Sequence, residues 1–367
     1  MQIFNDPRVI MTLDAGGTNF RFSAIRGGVA VTETLAMPSN GDTLERSLAN
    51  ILEGFSQTKA KCPAPPAAIS FAFPGPADYP RGIIGDLCNL PGYRGGIPLG
   101  PMLENTFKIP AFINNDGDLF TYGEAIAGLL PHVNCLLEKA GSPKRYKNLF
   151  GVTLGTGFGG GIVHSGELFV GDNSNAGEVW LLRNKLSPGM NAEEGACIRA
   201  VRRVYAQEAG IPFDQAPDPR EINQIASEKA PGNSSAAKEA YRQLGVVVGD
   251  AMGNVLTLVD GLAVIGGGVS NAWRLFLPTL VDELNSTYTG PAGNQYRRLG
   301  PVAFNLEEAA ALEIFLKGDT REILVPGSGQ KIQYDPVSRL GVGISRLGTS
   351  EAVAIGAYAF ALRALDR

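Results

Sequence analysis

Short apolar runs that stop at glycine or polar residues recur along this chain and predict buried strands. Ala67–Phe73 ends at a Pro-Gly-Pro sequence, Ala111–Ile113 ends at two asparagines and an aspartate, and Val152–Leu154 ends at a glycine cluster. Val9–Met11 is a fourth run of this kind. Apolar runs bounded by such turn residues are typical of strands buried on both faces. Polar residues at several strand ends suggest a site along one edge of a sheet.

Apolar residues at helical spacing appear between these runs. One face of the segment after Asp42 is apolar, and Asp42 with Glu45 three residues later predicts a capping box at its start. The apolar positions of this face are Leu44, Leu48, Ile51, Leu52 and Phe55. Asp118–Leu130 and Ser350–Leu365 also have helical periodicity. The alternation of strands and helices predicts an α/β fold.

A glycine turn after the first strand has the composition of a phosphate-binding loop. Without Cβ atoms at Gly16 and Gly17 the backbone can approach a polyphosphate closely. The turn amides and the Thr18 hydroxyl supply hydrogen-bond donors, and Asp14 can hold a hydrated Mg²⁺. The alternative is an ordinary hairpin turn, so the interpretation depends on whether the pattern recurs.

The pattern does recur. Five glycines lie within the seven residues Gly155–Gly161, between two apolar runs, and Thr156 stands among them. Glycine weakens a strand unless another group must approach the backbone, so this composition favours ligand contact. A third turn, Gly266–Gly268, lies between an apolar run and a helical segment. That arrangement is also common in α/β folds without any ligand role.

Repetition of the strand-turn-strand pattern predicts a duplicated architecture of two lobes, with a triphosphate held in the interlobe cleft. The 367 residues exceed what one hydrophobic core usually supports. We predict a small α/β lobe at 1–117, with a C-terminal helix at 350–367 packing back on it, and a large α/β lobe at 118–349. Within 131–147, the sequence Ser142–Arg145 predicts a polar, exposed excursion. Residues 288–340 mix proline, glycine and charged residues, and we predict no particular structure for them.

Charge and cysteine content exclude several functional classes. Lys and Arg total 32 against 36 Asp and Glu, a net charge of −4 without a dense basic block, which predicts no nucleic-acid partner and no membrane partner. Val246–Val269, interrupted by Asp250 and Asp260, predicts a buried helix and a strand instead of a membrane span. No basic and apolar leader precedes the first strand, so we expect a cytoplasmic protein. The four cysteines form no C-x-x-C pair and are expected to be buried apolar residues.

Seven motifs in order along the chain resemble those of the ROK family of sugar kinases. They are Asp14-x-Gly-Gly-Thr, Phe73-Pro-Gly-Pro-x-Asp78, Asn89-Leu-Pro-Gly, Asn115-Asp116, Leu154-Gly-Thr-Gly-x-Gly-Gly-Gly161, Ala176-Gly-Glu178 and Ile265-Gly-Gly-Gly-Val-Ser270. The matches extend from residue 10 to about 272 and resume at Leu347–Leu362, so they cover most of the chain. This resemblance implies the duplicated actin-like, ribonuclease H-like ATPase fold. It also implies ATP-dependent phosphorylation of a hexose hydroxyl, glucokinase-like and at the 6-hydroxyl, an alcohol phosphotransferase reaction.

The resemblance carries roles to individual residues. Asp116 is implied to be the general base. Asn89, Asn115, Glu178 and the motif residue Gly75 are implied to contact the sugar. The implied ATP-binding residues are Asp14, with Mg²⁺ held through water, Gly16, Gly17, Thr18, Asn19, Gly155, Thr156, Gly157, Gly267 and Gly268. Family members are often oligomers, so a homodimer is expected.

The chain departs from the family where other members carry a histidine and a zinc-binding cysteine cluster. Leu181 occupies the histidine position, and Cys197 is the one cysteine near the cluster. One cysteine cannot form a tetrahedral zinc site, so we predict no structural zinc. The lost cluster normally contains a second sugar-binding glutamate, for which Glu193 or Glu194 is a candidate replacement. The segments 131–147 and 288–340 are atypical insertions.

Alternatives remain for individual residues and for the whole chain. Asp116 could be a helix N-cap, and both roles are compatible. Trp180 could stack on a sugar ring or pack in the core. A kinase for fructose or for an N-acetylhexosamine, a non-catalytic sugar-binding regulator, and an actin-like or chaperone-like ATPase are the competing functions. Only about ten residues precede the first strand, too few for a DNA-binding helical domain, which favours an enzyme over a repressor.

Overall fold

The structure is a computed structural model that describes residues 3–367. The strands are β1 (Val9–Ala15), β2 (Asn19–Arg26), β3 (Val29–Ala30), β4 (Leu35–Pro38), β5 (Pro66–Ala72), β6 (Ala77–Asp78), β7 (Ile83–Ile84), β8 (Ala111–Asn114), β9 (Leu149–Leu154), β10 (Phe158–His164), β11 (Glu167–Leu168), β12 (Leu262–Gly266), β13 (Thr287–Thr289), β14 (Gln295–Arg297), β15 (Val302–Asn305), β16 (Arg321–Leu324), β17 (Lys331–Tyr334) and β18 (Arg339–Ile344). The helices are α1 (Leu44–Lys61), α2 (Leu99–Phe107), α3 (Asp116–Ile126), α4 (Leu129–Lys139), α5 (Ile198–Ala209), α6 (Pro219–Ala226), α7 (Ser234–Val259), α8 (Trp273–Leu284), α9 (Ala309–Lys317) and α10 (Thr349–Leu365).

The predicted α/β class is confirmed, and the chain forms two compact units. Unit 1 comprises the chain up to Ala127 together with Leu168–Ala176 and Ser350–Arg367, and unit 2 comprises Gly128–Glu167 and Gly177–Thr349. Each unit contains one six-stranded sheet. None of the helices within residues 3–367 combines the length and apolarity that a membrane span requires.

The sheet of unit 1 has the order β3-β2-β1-β5-β8, with β4 also paired to β2. β1 and β2 form an antiparallel hairpin, whereas β1, β5 and β8 are parallel. A chain of ring contacts fills the core, including Phe22 against Phe55 at 5.1 Å between centroids and Phe73 against Tyr93 at 5.5 Å. The apolar face predicted for residues 44–55 supplies Phe55 to this core, which confirms helix α1.

The predicted capping box of α1 is wrong. The N-cap residue is Thr43, not Asp42, and its side chain makes no capping hydrogen bond. The Thr43 N–H is bonded to the Asn40 carbonyl at 3.0 Å, so a tight turn precedes the helix. That turn moves the helix start one residue past Asp42.

Helix α10 belongs to unit 1 from Ser350 onward. The Ser70 hydroxyl of β5 donates to the Ala357 carbonyl at 2.7 Å, and the Gly27 N–H donates to the Tyr358 hydroxyl at 2.9 Å. Gly123 of α3 and Gly356 of α10 have no room for a Cβ atom, because each faces backbone atoms of the other helix. These two glycines therefore allow α3 and α10 to approach closely.

The sheet of unit 2 repeats the plan of unit 1, which confirms the predicted duplication. Its order is β11-β10-β9-β12-β18-β15. β9 and β10 form an antiparallel hairpin, and β9, β12, β18 and β15 are parallel. The long helix α7 and its neighbour α8 bury their apolar faces in the core of this unit. The buried helix and strand predicted within Val246–Val269 are α7 and β12.

Both atypical segments are folded into unit 2. The first is helical up to Lys139, and Ser142, in the part predicted to be exposed, is buried. The Tyr146 hydroxyl donates to the Arg339 carbonyl at 2.6 Å, and its ring stacks on Phe315 at 5.9 Å. The prediction of an exposed excursion is therefore wrong for Ser142, although Pro143 and Arg145 are exposed. Within 288–340, β15 and the start of β18 join the main sheet, and β13–β14 and β16–β17 are separate hairpins.

Candidate active site

The first glycine turn connects β1 to β2 in unit 1. Ser39, a buried residue that follows β4, holds two carbonyls of this turn: its N–H donates to Thr18 O at 3.0 Å, and its hydroxyl donates to Gly17 O at 2.5 Å. Among the described residues, the N–H groups of Gly17 and Thr18 have no acceptor. The turn therefore keeps carbonyl oxygens on the protein and leaves backbone donors for a ligand.

The second glycine turn connects β9 to β10 in unit 2 and has the same property. The N–H of Ile198, the first residue of α5, donates to Gly155 O at 2.9 Å, and the Gly155 N–H donates to Gly157 O at 3.0 Å. Arg199 donates to Thr156 O at 3.3 Å. Within residues 3–367, the N–H groups of Thr156 and Gly157 have no acceptor. All three carbonyls of this turn are thus occupied, while two amides are available.

Three of the predicted ATP-binding glycines have open space where a Cβ atom would lie. They are Gly17, Gly155 and Gly268, and each has a φ that other residues can adopt. Neither steric conflict nor backbone conformation in the protein requires glycine at these positions. A ligand that lies against the backbone would require it, so these positions fit the approach of a polyphosphate.

The third turn lies beside the second. β12 is parallel to β9, with Gly266 opposite Thr153, so Gly267 lies next to Leu154. Gly267 has φ +86° and ψ 164°, and a Cβ atom on it would collide with the Leu154 backbone. Its N–H donates to the Thr349 hydroxyl at 2.9 Å. The fold itself therefore requires glycine at Gly267, which leaves Gly268 as the accessible glycine of this turn.

Asn115 and Asp116 lie where β8 ends and α3 begins. Asn115 is the N-cap, and its Oδ1 accepts a hydrogen bond from Gly117 N–H at 2.7 Å. The same N–H lies 2.9 Å from Asp116 Oδ1. The alternative N-cap role considered for Asp116 thus belongs to Asn115, and Asp116 is the first helical residue.

The Asp116 side chain is solvent-accessible, yet its pKa is raised. Surrounding protein removes part of the hydration of the carboxylate, and this raises the pKa more than the Gly117 N–H lowers it. The carboxylate has no salt bridge within the described part of the chain. It is therefore an accessible base that is stronger than an ordinary aspartate.

Gly75 and Tyr79 lie close to Asn115. The Tyr79 hydroxyl donates to the Phe73 carbonyl at 3.0 Å, and the Asn115 side-chain amide lies 3.4 Å from the same hydroxyl. A Cβ atom on Gly75 would lie 3.0 Å from it. The structure therefore brings together three residues of the predicted sugar site in unit 1, namely Gly75, Asn115 and Asp116. Asn89 is exposed on the loop between β7 and α2, which Leu90 anchors in the core.

Glu178 belongs to unit 2, where the indole N–H of Trp180 donates to its carboxylate. Trp180 is half-buried and packs against the core of this unit. Trp180 thus packs in the core and also orients the Glu178 carboxylate. Leu181, at the position of the family histidine, is exposed.

Both glutamates considered as replacements for a sugar ligand already have partners. Glu193 Oε2 accepts the Phe158 N–H at 3.0 Å, and Oε1 lies 3.2 Å from Arg199. Glu194 pairs with Arg199 and Arg203, each at 3.0 Å, and the hydrogen bonds from these arginines lower its pKa. Glu193 therefore contacts the second glycine turn directly.

Metal-binding chemistry in the described residues is limited. No group of three or more His, Cys, Asp and Glu within residues 3–367 is placed to hold a metal ion. Asp14, at the end of β1, is exposed. A single carboxylate fits contact with a hydrated ion and not a closed protein site.

Sequence reasoning missed Ser39, Arg199 and Tyr79. Ser39 is 21 residues after Thr18, and Arg199 is 43 residues after Thr156. Neither lies in a recognisable motif, because their role depends on chain packing. The only sequence signal is that both turns need groups to hold their carbonyls, which does not indicate where those groups come from.

Comparison with known proteins identifies sugar kinases as relatives of this chain. The model of the ROK family matches residues 10–312. The crystal structure of glucokinase from Parabacteroides distasonis is 51% identical, covers 99% of each chain and has a TM-score of 0.92. An N-acetyl-D-glucosamine kinase from Vibrio parahaemolyticus is 26% identical over 276 residues, 70% of this chain and 83% of that one. A ROK glucokinase from Streptomyces griseus, solved with glucose and AMPPNP, shares the fold at 18% identity and a TM-score of 0.59, covering 96% of this chain and 98% of that one.

Proposed function

This chain belongs to the ROK family and is a sugar kinase, and we propose that it transfers the terminal phosphoryl group of ATP to the 6-hydroxyl of glucose. The choice of glucose is supported by 51% identity to a glucokinase over nearly the whole chain. The relatives that phosphorylate N-acetyl-D-glucosamine are more distant, at 26% identity. An N-acetylhexosamine or fructose is the alternative substrate.

The two glycine turns carry this proposal. Each presents two backbone N–H groups without an acceptor among the described residues, and two carbonyls of each turn accept hydrogen bonds from residues outside the turn. Phosphoryl transfer places negative charge on the phosphate oxygens, and preorganised donors stabilise that charge without reorganising. We propose that the first turn, with Asp14, Gly16, Gly17, Thr18 and Asn19, and the second, with Gly155, Thr156 and Gly157, bind the ATP phosphates. Gly267 and Gly268 would contact the adenosine.

Asp116 is the proposed general base. Its accessible carboxylate, with a raised pKa, would accept the proton of the sugar hydroxyl as that oxygen bonds to phosphorus and the bond to ADP breaks. Asn115, Gly75, Asn89 and Glu178 would bind the sugar. Asn115 Oδ1 is engaged as a helix cap, so its amide nitrogen is the group available to a sugar oxygen.

Mg²⁺ bound to ATP would neutralise phosphate charge, and Asp14 is the residue in unit 1 that would hold it through water. The remaining contributions come from the chain itself. Ser39 and Arg199 keep the turn carbonyls away from the phosphates, and Trp180 orients the Glu178 carboxylate.

A coupled ADP-release assay with Mg·ATP over glucose, fructose, mannose, N-acetylglucosamine and N-acetylmannosamine tests the function. We expect glucose to give the highest kcat/KM. Asp116→Asn should lower kcat by about 10²- to 10⁴-fold, because a general base contributes that factor, while calorimetry still detects glucose binding.

Asp214→Asn is the control, since Asp214 is exposed on a short helical turn of unit 2 outside the proposed site. It should retain full activity. Near-wild-type turnover by Asp116→Asn would contradict the assignment of the base. Sugar binding without ADP release by the wild-type protein would instead support a regulator.

A further inference from the structure

A single ion pair contacts both sides of the second glycine turn. Glu193 Oε2 accepts the Phe158 N–H at 3.0 Å, at the start of β10. Glu193 Oε1 pairs with Arg199 at 3.2 Å, and Arg199 donates to Thr156 O at 3.3 Å. Glu193 lies in the short 3-10 helix Ala192–Gly195, and Arg199 lies in the first turn of α5. Two elements outside the hairpin therefore hold its turn.

These contacts determine which way the turn amides point. In a planar trans peptide, the carbonyl and the N–H of the following residue point in opposite directions. Because Arg199 holds Thr156 O, the Gly157 N–H points away from Arg199. Because Ile198 N–H holds Gly155 O, the Thr156 N–H likewise points away from α5. Both available donors therefore point away from the groups that hold the turn carbonyls.

The charges of the pair are as important as its hydrogen bonds. A carboxylate next to a phosphate-binding turn repels ATP unless a cation neutralises it. Arg199 lies between Glu193 and Glu194 and pairs with both. A Cβ atom on Gly157 would lie 2.7 Å from Glu193 Oε2, so glycine at that position leaves room for the carboxylate. Glu193 is thus packed against the turn, partly shielded from solvent.

We propose that Glu193 and Arg199 are positioning residues that hold the Gly155–Phe158 turn in its phosphate-binding conformation, and that Glu193 is not a ligand of the sugar. This inference rests on the proposed binding of ATP by the second turn. It predicts that Glu193 affects the binding of ATP. A residue that replaces the lost sugar-binding glutamate would instead affect the binding of the hexose.

Steady-state kinetics with ATP and glucose varied separately distinguish the two roles. Glu193→Ala should raise KM for ATP about tenfold, the size of effect expected from losing one hydrogen bond to a charged group, and leave KM for glucose unchanged. Glu193→Gln keeps an acceptor for the Phe158 N–H and should recover most of the loss. Arg199→Ala should raise KM for ATP further, because Glu193 then has no cation beside it, whereas Glu194 keeps Arg203. Added salt should reduce this increase in KM by screening the Glu193 charge.

Glu239→Ala is the matched control, since Glu239 forms a similar pair with Arg242 on α7 at 2.6 Å. An unchanged KM for ATP in Glu193→Ala, a raised KM for glucose alone, or equal increases in both would overturn the proposal. If the wild-type protein phosphorylates no sugar, the proposed function fails, and the Kd of AMPPNP for wild type and Glu193→Ala still tests the turn. If Glu193→Ala does not fold, Arg199→Ala carries the same comparison.

Discussion

At the scale of single residues, Asp116 combines two properties that a general base needs. Its carboxylate is accessible, and its pKa is raised because protein has replaced part of its hydration. A base is most effective when its pKa lies closer to the working pH, provided that it is still ionised. The Gly117 N–H is a hydrogen bond donor to the carboxylate and limits the increase. The start of a helix thus gives Asp116 its position, whereas desolvation gives it its added basicity.

The pH dependence of catalysis follows from this shift. We expect kcat/KM for glucose to fall as pH decreases through the pKa of Asp116, and the midpoint should lie above the ordinary aspartate value of 3.8. The measurement is kcat/KM across the pH range in which the protein stays folded. A midpoint at or below 3.8 would contradict the raised pKa.

Unfolding of Asp116→Asn provides the control for that profile. A carboxyl group whose pKa is raised by folding costs stability in full above that pKa, and the cost shrinks as pH falls from the raised pKa to the unfolded value of 3.8. Asn keeps an acceptor for the Gly117 N–H. At pH 7 to 8, Asp116→Asn should therefore be at least as stable as the wild-type protein, so that lost activity cannot be attributed to unfolding.

At the scale of elements, the second and third turns contain glycine for different physical reasons. A Cβ atom on Gly155 meets open space, whereas Gly267 has φ +86° and lies against the Leu154 backbone. Both positions follow the end of a strand in the same sheet. The two glycines cannot be told apart in the sequence. The backbone conformation shows that Gly267 is needed for folding, whereas Gly155 is available to a ligand.

Alanine substitutions should separate these reasons. Gly155→Ala should leave the unfolding free energy within about 0.5 kcal/mol and raise the Kd of ATP, because the new methyl group occupies the phosphate approach. Gly267→Ala should lower the free energy of unfolding by about 1–3 kcal/mol or more, since the backbone conformation at this position is nearly restricted to glycine. Denaturant unfolding and calorimetry measure both effects. Gly189→Ala, at an exposed and open position of unit 2, should change neither, and loss of stability in Gly155→Ala would contradict the interpretation.

The elements that could be predicted from sequence are those determined by local patterns. Apolar runs located β5, β8 and β9, because a run of apolar residues that ends at polar residues or glycine is itself the signal of a strand in a sheet core. The predicted start of α1 was wrong, because Asp42 and Thr43 are both residue types that favour the N-cap position, and the preceding turn decides between them. Ser39 could not be predicted, because its hydrogen bonds join β4 to a turn more than 20 residues earlier.

At the scale of the whole molecule, the two sheets share one plan, and the segments 131–147 and 288–340 both belong to unit 2. An antiparallel hairpin beside parallel strands occurs in both units, with the glycine turn of each hairpin at the same place. Duplication explains why two separate sequences form the same kind of glycine turn. The segment 288–340 extends the second sheet with β15 and adds two exposed hairpins. Its composition is mixed because some of its residues are buried and others are exposed.

A buried ion pair stabilises this segment internally, because Arg339, Asp335 and the Phe315 carbonyl all lie within 288–340. Arg339, the first residue of β18, pairs with Asp335 at 2.5 Å and donates to the Phe315 carbonyl of α9 at 2.6 Å. Both charged side chains are almost fully buried. Burial alone would raise the pKa of Asp335, but hydrogen bonds from Arg339 and from the N–H groups of Val337 and Asp319 together lower it. Asp335 therefore contributes stability above pH 3.8 that is lost as pH falls through its lowered pKa.

Removing the arginine should reverse this pH dependence. Arg339→Met leaves a buried carboxylate without its cation and should cost about 3–5 kcal/mol at pH 7.5. Desolvation would then dominate and raise the pKa of Asp335 above 3.8, so the deficit should shrink as pH falls toward the new value. Denaturant unfolding at pH 7.5, 6 and 5 measures the deficit, and adding Asp335→Asn to Arg339→Met should remove its pH dependence. Lys331→Ala breaks the exposed Lys331–Glu322 pair and should cost less than about 1 kcal/mol at every pH. An Arg339→Met deficit as small as that of Lys331→Ala would show that the ion pair does not stabilise the segment.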